Sequence, residues 1–262
     1  NHFFVPPTPL HAAWQRRAEA RTASRAAALV TVSPAIADDL SRRYPGTRVE
    51  LIPNGFDPED LPRAVAPPAG RFVLVHAGTF SGPRSPRAFL EGLVLAERRE
   101  PALADVAEVR FVGVGAVAER LARQAGVRAA VATTGFVPYP RALEEAASAS
   151  VNVAILSPGE ESRHSVPGKL AEYVGLRRPI LLLAGQGAAR DVLAGVAGVR
   201  AAAPDDPSDI ASAVLDLYHA WREGALRRPA EEEAARFSRV ETARRYAELL
   251  DDVAARAGAE EA

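Results

Sequence analysis

A single lysine stands out among the side chains that could bind an anion. Of the 32 basic residues all but one are arginine, and the exception is Lys169, in the run of residues 165–173. A planar guanidinium does not replace a compact, rotatable ammonium. The sequence therefore indicates that this position needs the ammonium itself.

The neighbours of Lys169 predict a helix start that could bind a nucleotide. Ser165 could cap this helix, Gly168 would let a ligand approach the backbone, and Lys169 and Glu172 lie three residues apart on one face. A cation at the positive end of a helix dipole suits a diphosphate, and a carboxylate one turn deeper suits the vicinal hydroxyls of a ribose. The alternative is a surface ion pair between Lys169 and Glu172, worth about 0.2–0.5 kcal/mol.

A glycine-bearing turn after a strand is the second candidate anion site. The turn at Gly78 would direct backbone N–H groups at one point, where a phosphate could lie, and Arg84 could bind that phosphate through two hydrogen bonds. Ser85 and Pro86 then predict the cap and first residue of the next helix. The alternatives are ordinary turn glycines at Gly78 and Gly82 and a solvated surface charge at Arg84.

A third glycine motif, at residues 113–118, fits the loose pattern G-x-G-x-x-[GA]. Dinucleotide-binding folds carry this pattern after their first strand, with an acidic residue about 20 positions further on. Here it follows the second strand, and the next strand ends without an acid. An NAD site is therefore disfavoured, and the glycines are predicted to allow a tight turn.

Short apolar runs alternate with helical patterns from Arg71 onward, which is typical of βαβ units. Runs that are apolar throughout predict a parallel sheet covered on both faces. The predicted fold class is therefore α/β, a doubly wound, Rossmann-like parallel sheet that binds ligands at the carboxyl ends of its strands. The predicted strands are residues 72–76, 109–112, 130–133, 151–155, 180–183 and 199–202.

Two apolar runs, at residues 28–32 and 49–52, precede this sheet and predict the remnant of a second α/β domain. A proline- and alanine-rich stretch then predicts a linker. Near the other end, apolar residues at helical spacing predict a docking helix. The predicted divisions are 1–57 for the end of an N-terminal domain and hinge, 58–70 for the linker, 71–236 for the sheet domain and 237–262 for the docking helix.

Composition excludes several classes of function. A net charge of -1 gives no basis for binding nucleic acid. The chain has no cysteine and only five scattered histidines, so disulfides and thiolate metal sites are excluded and no metal site is predicted. With no signal peptide and no apolar run of membrane length, the sequence predicts a cytoplasmic protein.

Five short motifs follow one another along the chain. They are Ile-Pro-Asn-Gly-Phe-Asp at 52–57, the Gly78 turn, Phe-Val-Gly-Val-Gly at 111–115, Thr-Gly-Phe-Val at 134–137, and Pro-Gly-Lys-Leu-x-Glu-Tyr at 167–173, followed by Arg-Pro-Ile at 178–180. In this order they resemble retaining, nucleotide-sugar-dependent glycosyltransferases of the GT-B fold, similar to glycosyltransferase family 4, over residues 26–250. The resemblance implies two Rossmann-like domains with the active site between them, the C-terminal one holding the donor.

The resemblance also implies roles for single residues. Lys169 and Arg84 would bind the donor diphosphate and Glu172 the ribose hydroxyls, and these three are the predicted catalytic residues. Main-chain groups of Phe136 and Val137 would meet the base. The other residues predicted to bind the donor are Gly78, Thr79, His164, Ser165, Val166 and Gly168.

Two side chains depart from the family pattern. Thr79 stands where many relatives carry a second basic residue, and Lys169 could supply that charge. His164 stands where the family has an acid that contacts the donor sugar. Glu160 or Glu161 could reach the sugar instead if the loop differs in length, or His164 could substitute directly.

The family's acceptor-binding domain would precede residue 1 and is expected in cis or in trans. Phe3, Phe4, Val5 and Trp14 would then contact that domain. Arg17, Arg21 and Arg25 are predicted on one helix face that could meet an acceptor phosphate or anionic lipid, although a solvated face is the simpler reading. A peripheral contact at the inner membrane face follows as one possibility.

The sequence thus predicts the donor-binding half of a glycosyltransferase. It would move a sugar, with retention, from a nucleotide diphosphate to a saccharide, lipid or small-molecule hydroxyl, with the nucleotide sugar as substrate and no further cofactor. One alternative is a GT-B nucleotide-sugar epimerase, which would need no acceptor. Another is a non-catalytic module that binds a nucleotide sugar.

Overall fold

A computed structural model describes residues 6–62, 65–80 and 84–260. Four residues to which the sequence analysis gave a role, Phe3, Phe4, Val5 and Gly82, lie outside the described residues, and so does the side chain of Glu161. The predicted domain divisions stay a prediction.

A six-stranded parallel sheet forms the centre of the described chain. Its strands are β3 (Phe72–Ala77), β4 (Ala107–Val112), β5 (Ala130–Thr133), β6 (Val151–Ile155), β7 (Ile180–Leu183) and β8 (Val199–Ala202). Their spatial order is β5-β4-β3-β6-β7-β8, so the chain reverses its direction of winding between β3 and β6. This reversal leaves a crevice at the carboxyl ends of those two strands. The predicted fold class and all six strands are confirmed, with ends shifted by at most two residues.

Helices cover both faces of the sheet, so the central strands β3, β6 and β7 are buried along nearly their whole length. Gly92 allows the closest contact on one face, since a Cβ there would lie 2.6 Å from Ile210 Cγ2 of the facing helix. The buried core on that face includes Leu74 and Phe111, and the core on the other face includes Tyr173 and Leu182. The helices are α3 (Arg87–Arg99), α4 (Leu103–Val106), α5 (Val117–Ala125), α6 (Tyr139–Ala147), α7 (Lys169–Gly175), α8 (Ala188–Val192), α9 (Pro207–Arg222) and α10 (Glu231–Ala235).

A small α/β unit precedes the sheet, as the sequence predicts. It comprises α1 (Pro9–Ala23), β1 (Ala28–Thr31), α2 (Pro34–Arg43) and β2 (Arg48–Leu51), and its two strands pair in parallel.

The expected face of three arginines is wrong in one respect. Arg25 lies beyond the end of α1, so only Arg17 and Arg21 belong to that helix.

The last helix, α11 (Arg239–Glu260), joins this N-terminal unit to the sheet domain. Phe56 N donates to Phe237 O at 2.9 Å, and Arg239 N donates to Phe56 O at 2.7 Å. Arg245 donates to Leu51 O at 2.6 Å, and Leu249 is buried one turn further on.

The predicted apolar docking face of α11 is only partly correct. Val240 and Leu250 are 69% and 64% exposed, because the face that meets the N-terminal unit carries Arg245, Leu249 and Asp252 instead. Within the described ranges, no helix is both long enough and apolar enough to cross a membrane.

Candidate functional site

The turn after β3 lies directly against the unique lysine. Lys169 Nζ donates to Ala77 O at 2.8 Å, and a Cβ at Gly78 would come within 2.6 Å of the same nitrogen. Gly78 also has a φ of 125°, a region that L side chains rarely adopt. Glycine is therefore required here both for the backbone conformation and for the close approach of the ammonium.

Two side chains of α7 attach this helix to the end of β3. Lys169 is the first residue of the helix, and Tyr173 lies one turn later on the same face. The buried Tyr173 hydroxyl accepts a hydrogen bond from Ala77 N at 2.9 Å. Side chains of α7 thus bind both backbone polar groups of Ala77, at the carboxyl end of β3. These two hydrogen bonds fix the position of the Lys169 ammonium.

The predicted cap of α7 is wrong. The cap position is Gly168, and no side chain caps the helix. Ser165 instead donates its backbone N–H to Ser162 O at 2.9 Å. Ser165 lies too early to cap, because the chain makes one further turn through Pro167 before the helix begins, with Leu170 N bonded to Pro167 O at 3.0 Å.

The ammonium of Lys169 is held in a setting that disfavours its charge. Burial, together with the nearby positive charge of Arg84, lowers the pKa of Lys169 to about 8 against the opposing effect of Glu172. Arg84, predicted to lie at this site, is half-buried. Two like charges repel each other more strongly in a half-buried space than in water. An anion bound there would relieve this repulsion, so the space favours an anion.

The alternative reading of Lys169 and Glu172 as an ion pair is wrong. No salt bridge joins them within the described part of the chain, although each charge affects the pKa of the other, and each has another hydrogen-bond partner. Glu172 Oε1 accepts a hydrogen bond from the Tyr139 hydroxyl at 3.1 Å. Burial raises the pKa of Glu172, whereas the Tyr139 hydrogen bond and the charge of Lys169 lower it.

The turns after β4 and β5 meet the Gly78 turn. Gly78 N donates to Val112 O at 2.8 Å, and a Cβ at Gly113 would lie 3.5 Å from the Gly78 carbonyl carbon. Gly113 N in turn donates to Thr134 Oγ1 at 3.1 Å. With a φ of 85°, Gly113 makes the tight turn that the sequence predicts.

The predicted base-binding segment follows directly. Gly135 N donates to Val114 O at 2.9 Å, and the next side chain, Phe136, is 91% exposed. Val137 is half-buried. An aromatic ring this exposed at the edge of a half-buried polar site is available to stack on a planar base.

The loop before α7 faces the N-terminal unit. Asn54 Nδ2 donates to Val166 O at 3.3 Å. His164 and Arg163 line a cavity of about 690 Å³ together with residues of α2 such as Asp38 and Arg42.

Most of the predicted residues converge at the carboxyl edge of the sheet, and some lie apart. The turn at Gly78, the ends of β4 and β5, and the start of α7 form one connected surface, with Thr79 exposed beside it and Gly168 exposed at the start of α7. His164 lies toward α2 instead. Glu160, considered as a replacement acid, is paired with Arg163 at 2.9 Å.

The structure adds residues that the sequence analysis did not assign. The buried His76 lies beneath the Gly78 turn, with Nδ1 2.9 Å from Val153 O and its ring stacked on Phe80 at a centroid distance of 4.7 Å. Tyr139 reaches Glu172 from α6. The available signal for His76 was a polar side chain at the end of a buried strand. For Tyr139 it was an aromatic residue at the start of a helix.

Family models match two consecutive parts of the sequence. The model for Glycosyltransferase Family 4 matches residues 1–60, and the model for Glycosyl transferases group 1 matches residues 71–220. The second match covers more than half of the 262 residues. The chain belongs to the group 1 glycosyl transferases. The predicted resemblance to family 4-like glycosyltransferases is thereby confirmed, whereas retention stays a prediction. No curated protein is significantly similar to this glycosyl transferase chain in sequence.

Solved structures agree with this assignment at the level of the fold. The sucrose-phosphate synthase of Thermosynechococcus elongatus superposes with a TM-score of 0.67 at 16% identity, over 93% of this chain and 62% of its own. Anabaena HepE, solved in complex with UDP-glucose, gives 0.66 at 16% identity, over 95% and 70%. A glycosyltransferase of Rickettsia africae gives 0.66 at 11% identity, over 86% and 63%. The group 1 glycosyl transferase chain thus spans about three fifths of the synthase.

Proposed function

We propose that this chain binds the donor in a glycosyltransferase that moves a sugar from a nucleoside diphosphate to a hydroxyl acceptor with retention of configuration. The observation that carries the proposal is the Lys169 ammonium held over the Gly78 turn, with Nζ bonded to Ala77 O at 2.8 Å. This cation, with Arg84 beside it, lies at the switch point of a doubly wound sheet, where such folds bind their ligands.

Lys169 and Arg84 would act on the leaving group. When the bond between the sugar and the diphosphate breaks, negative charge develops on the phosphate oxygens. A fixed ammonium and a guanidinium in a half-buried site stabilise that charge more than bulk water does. The diphosphate would in turn favour the charged form of Lys169, whose pKa burial lowers to about 8 in the free protein.

Glu172 and Phe136 would bind the nucleoside. Apart from the Tyr139 hydroxyl, no described residue donates a hydrogen bond to the Glu172 carboxylate, so it can accept from a ribose hydroxyl. The ring of Phe136 would stack on the base. UDP is the first nucleotide to test, because HepE was solved with UDP-glucose and the pneumococcal O-GlcNAc transferase GtfA with UDP and GlcNAc.

The acceptor would bind on the side of the N-terminal unit. The 690 Å³ cavity at His164 opens toward α2, and α1 exposes Trp14 and Leu10 at 67% and 83%. These features are consistent with a further acceptor-binding unit in cis or in trans. A saccharide, a lipid or a small-molecule hydroxyl would each suit this arrangement, the lipid with peripheral contact to a membrane.

Calorimetry with UDP, GDP, ADP, dTDP and CMP tests the donor site. We expect one nucleoside diphosphate to bind, and Lys169→Ala, Arg84→Ala and Glu172→Ala each to weaken its binding by about 10- to 150-fold, since a hydrogen bond to a charged group contributes about 1.5–3 kcal/mol. Arg200→Ala is the matched control, because Arg200 on β8 pairs with Asp216 away from the site.

No nucleotide binding by the folded parent, or equal loss in the Arg200 control, would overturn the donor-site assignment. With binding established, incubation with the matching nucleotide sugar distinguishes the reactions. Glycosylated acceptor supports transfer, release of an altered free sugar indicates an epimerase, and binding without turnover in the presence of acceptor and acceptor-binding unit indicates a non-catalytic module.

A further inference from the structure

A hydrogen bond connects the two helices on either side of the candidate nucleoside site. Tyr139 is the first residue of α6, which follows the base-binding segment after β5, and Glu172 lies in the first turn of α7. The Tyr139 hydroxyl donates to Glu172 Oε1 at 3.1 Å. Tyr139 is 44% exposed as a residue, so it lies at the mouth of the site rather than in the core.

The Glu172 carboxylate has little else to orient it. The charged groups near enough to affect it are Lys169, Arg239 and Asp60, and none of them forms a salt bridge with it among the described residues. A carboxylate has about four acceptor sites. With one of them used by Tyr139, the remaining acceptor sites are available to a ligand that presents two hydroxyls.

We propose that Tyr139 is a positioning residue: its hydroxyl fixes the rotamer of Glu172 so that the carboxylate accepts from the ribose hydroxyls of the donor. This inference rests on the proposed function, because Glu172 is taken to bind the ribose. Tyr139 itself acts through Glu172 and through its hydroxyl alone. Replacing it by phenylalanine removes that hydroxyl and keeps the ring.

The first test separates an effect through the ribose from a general effect on the site. We expect Tyr139→Phe to weaken binding of UDP, or of whichever ribonucleoside diphosphate binds, by about five- to tenfold. Binding of the 2′,3′-dideoxy analogue should not change, since it offers no hydroxyl to Glu172. In a Glu172→Ala background, Tyr139→Phe should likewise have no further effect.

The second test reads the hydrogen bond without any nucleotide. Because the bond from Tyr139 stabilises the ionised carboxylate, its loss should raise the pKa of Glu172. Titration of the Glu172 side chain by ¹³C carboxyl NMR should therefore show a higher midpoint in Tyr139→Phe than in the parent. Nucleotide affinity should also begin to fall at a higher pH as the solution is acidified.

Tyr44→Phe is the matched control for both tests. The Tyr44 hydroxyl also donates to a glutamate oxygen, Glu19 Oε1, at 3.1 Å, but it lies in the N-terminal unit. Tyr44→Phe should change neither nucleotide affinity nor the Glu172 titration.

The outcomes separate the two proposals. An unchanged Glu172 titration, or equal losses for the ribose and dideoxy nucleotides, would overturn the role of Tyr139 and leave the donor site standing. A parent that binds no nucleotide overturns the proposed function, and this inference with it, even if the Glu172 titration shifts.

Discussion

Lys169 is the residue on which the proposed chemistry depends most. Its ammonium donates to Ala77 O and lies so close to Gly78 that a Cβ at that position would collide with it. A guanidinium is larger and planar, and it could not take this place without displacing the turn. The chain uses arginine for every other basic residue, so the site itself accounts for the exception.

Lys169→Arg should weaken UDP binding and change its dependence on pH. The pKa of Lys169 is about 8, so the parent carries this charge below pH 8 and loses it above. Parent affinity should therefore fall as the pH rises from 7 to 9, by up to about tenfold per unit once Lys169 is neutral in the free protein. The arginine variant stays charged throughout. It should bind about tenfold more weakly at pH 7 and show no such fall, because the guanidinium misses the oxygens that the ammonium reaches.

Calorimetry at pH 7, 8 and 9 measures this difference. Taking the ratio of parent to variant affinity at each pH removes the titration of the ligand itself. A constant ratio across the range would show that loss of the Lys169 charge in the free protein does not weaken nucleotide binding, which contradicts this prediction.

Residues of the candidate site could be predicted where the sequence showed an unusual side chain or motif. Lys169, Glu172 and Gly78 fall in this class, and the structure brings them to one edge of the sheet. Tyr139 and His76 could not be assigned in advance. Their partners, Glu172 and Val153, are 33 and 77 residues away in sequence, so the pairing exists only in the folded chain.

At the scale of elements, strands were predicted better than helix starts. A buried parallel strand is a continuous apolar run, which the sequence shows directly. A helix start depends on which polar groups meet the first free N–H groups. Ser165 had the right side chain for a cap, but a turn through Pro167 separates it from α7. The helix after Gly78 likewise begins at Arg87, one residue later than predicted, with Ser85 Oγ accepting from Arg87 N at 3.3 Å.

The end of α7 rests against the segment that leads into the sheet domain. A Cβ at Gly175 would lie 2.7 Å from the buried Phe56 ring. Gly175→Ala should therefore destabilise the fold by about 1–3 kcal/mol through overpacking. Gly258→Ala is the matched control, because Gly258 also lies in a helix but has no atom within 4 Å of a Cβ. It should be neutral or stabilising by up to about 1 kcal/mol.

Urea denaturation of both glycine variants tests this contact. If Gly175→Ala were as stable as Gly258→Ala, then Phe56 would not be packed against α7 as described.

At the scale of the whole molecule, the candidate site is built over a buried group that must stay neutral. Burial, together with the charges of Lys169 and Arg84, lowers the pKa of His76 well below 6.5. Val153 O can only accept, so Nδ1 carries the proton of the neutral ring. The site therefore couples two half-buried cations to an uncharged imidazole beneath them.

This coupling predicts how the stability of the fold depends on pH. The unfolded chain binds a proton at His76 below pH 6.5, and the folded protein does not, so stability is lost as the pH falls below that value. The contribution of this one group is at most about 1.4 kcal/mol per pH unit.

Unfolding free energies of the parent and of His76→Phe, measured in urea from pH 7 to 5, should therefore diverge, with the smaller decline in the variant. If the parent and His76→Phe declined in parallel, His76 would have to be protonated in the folded protein, and the cations above it could not be as close as described.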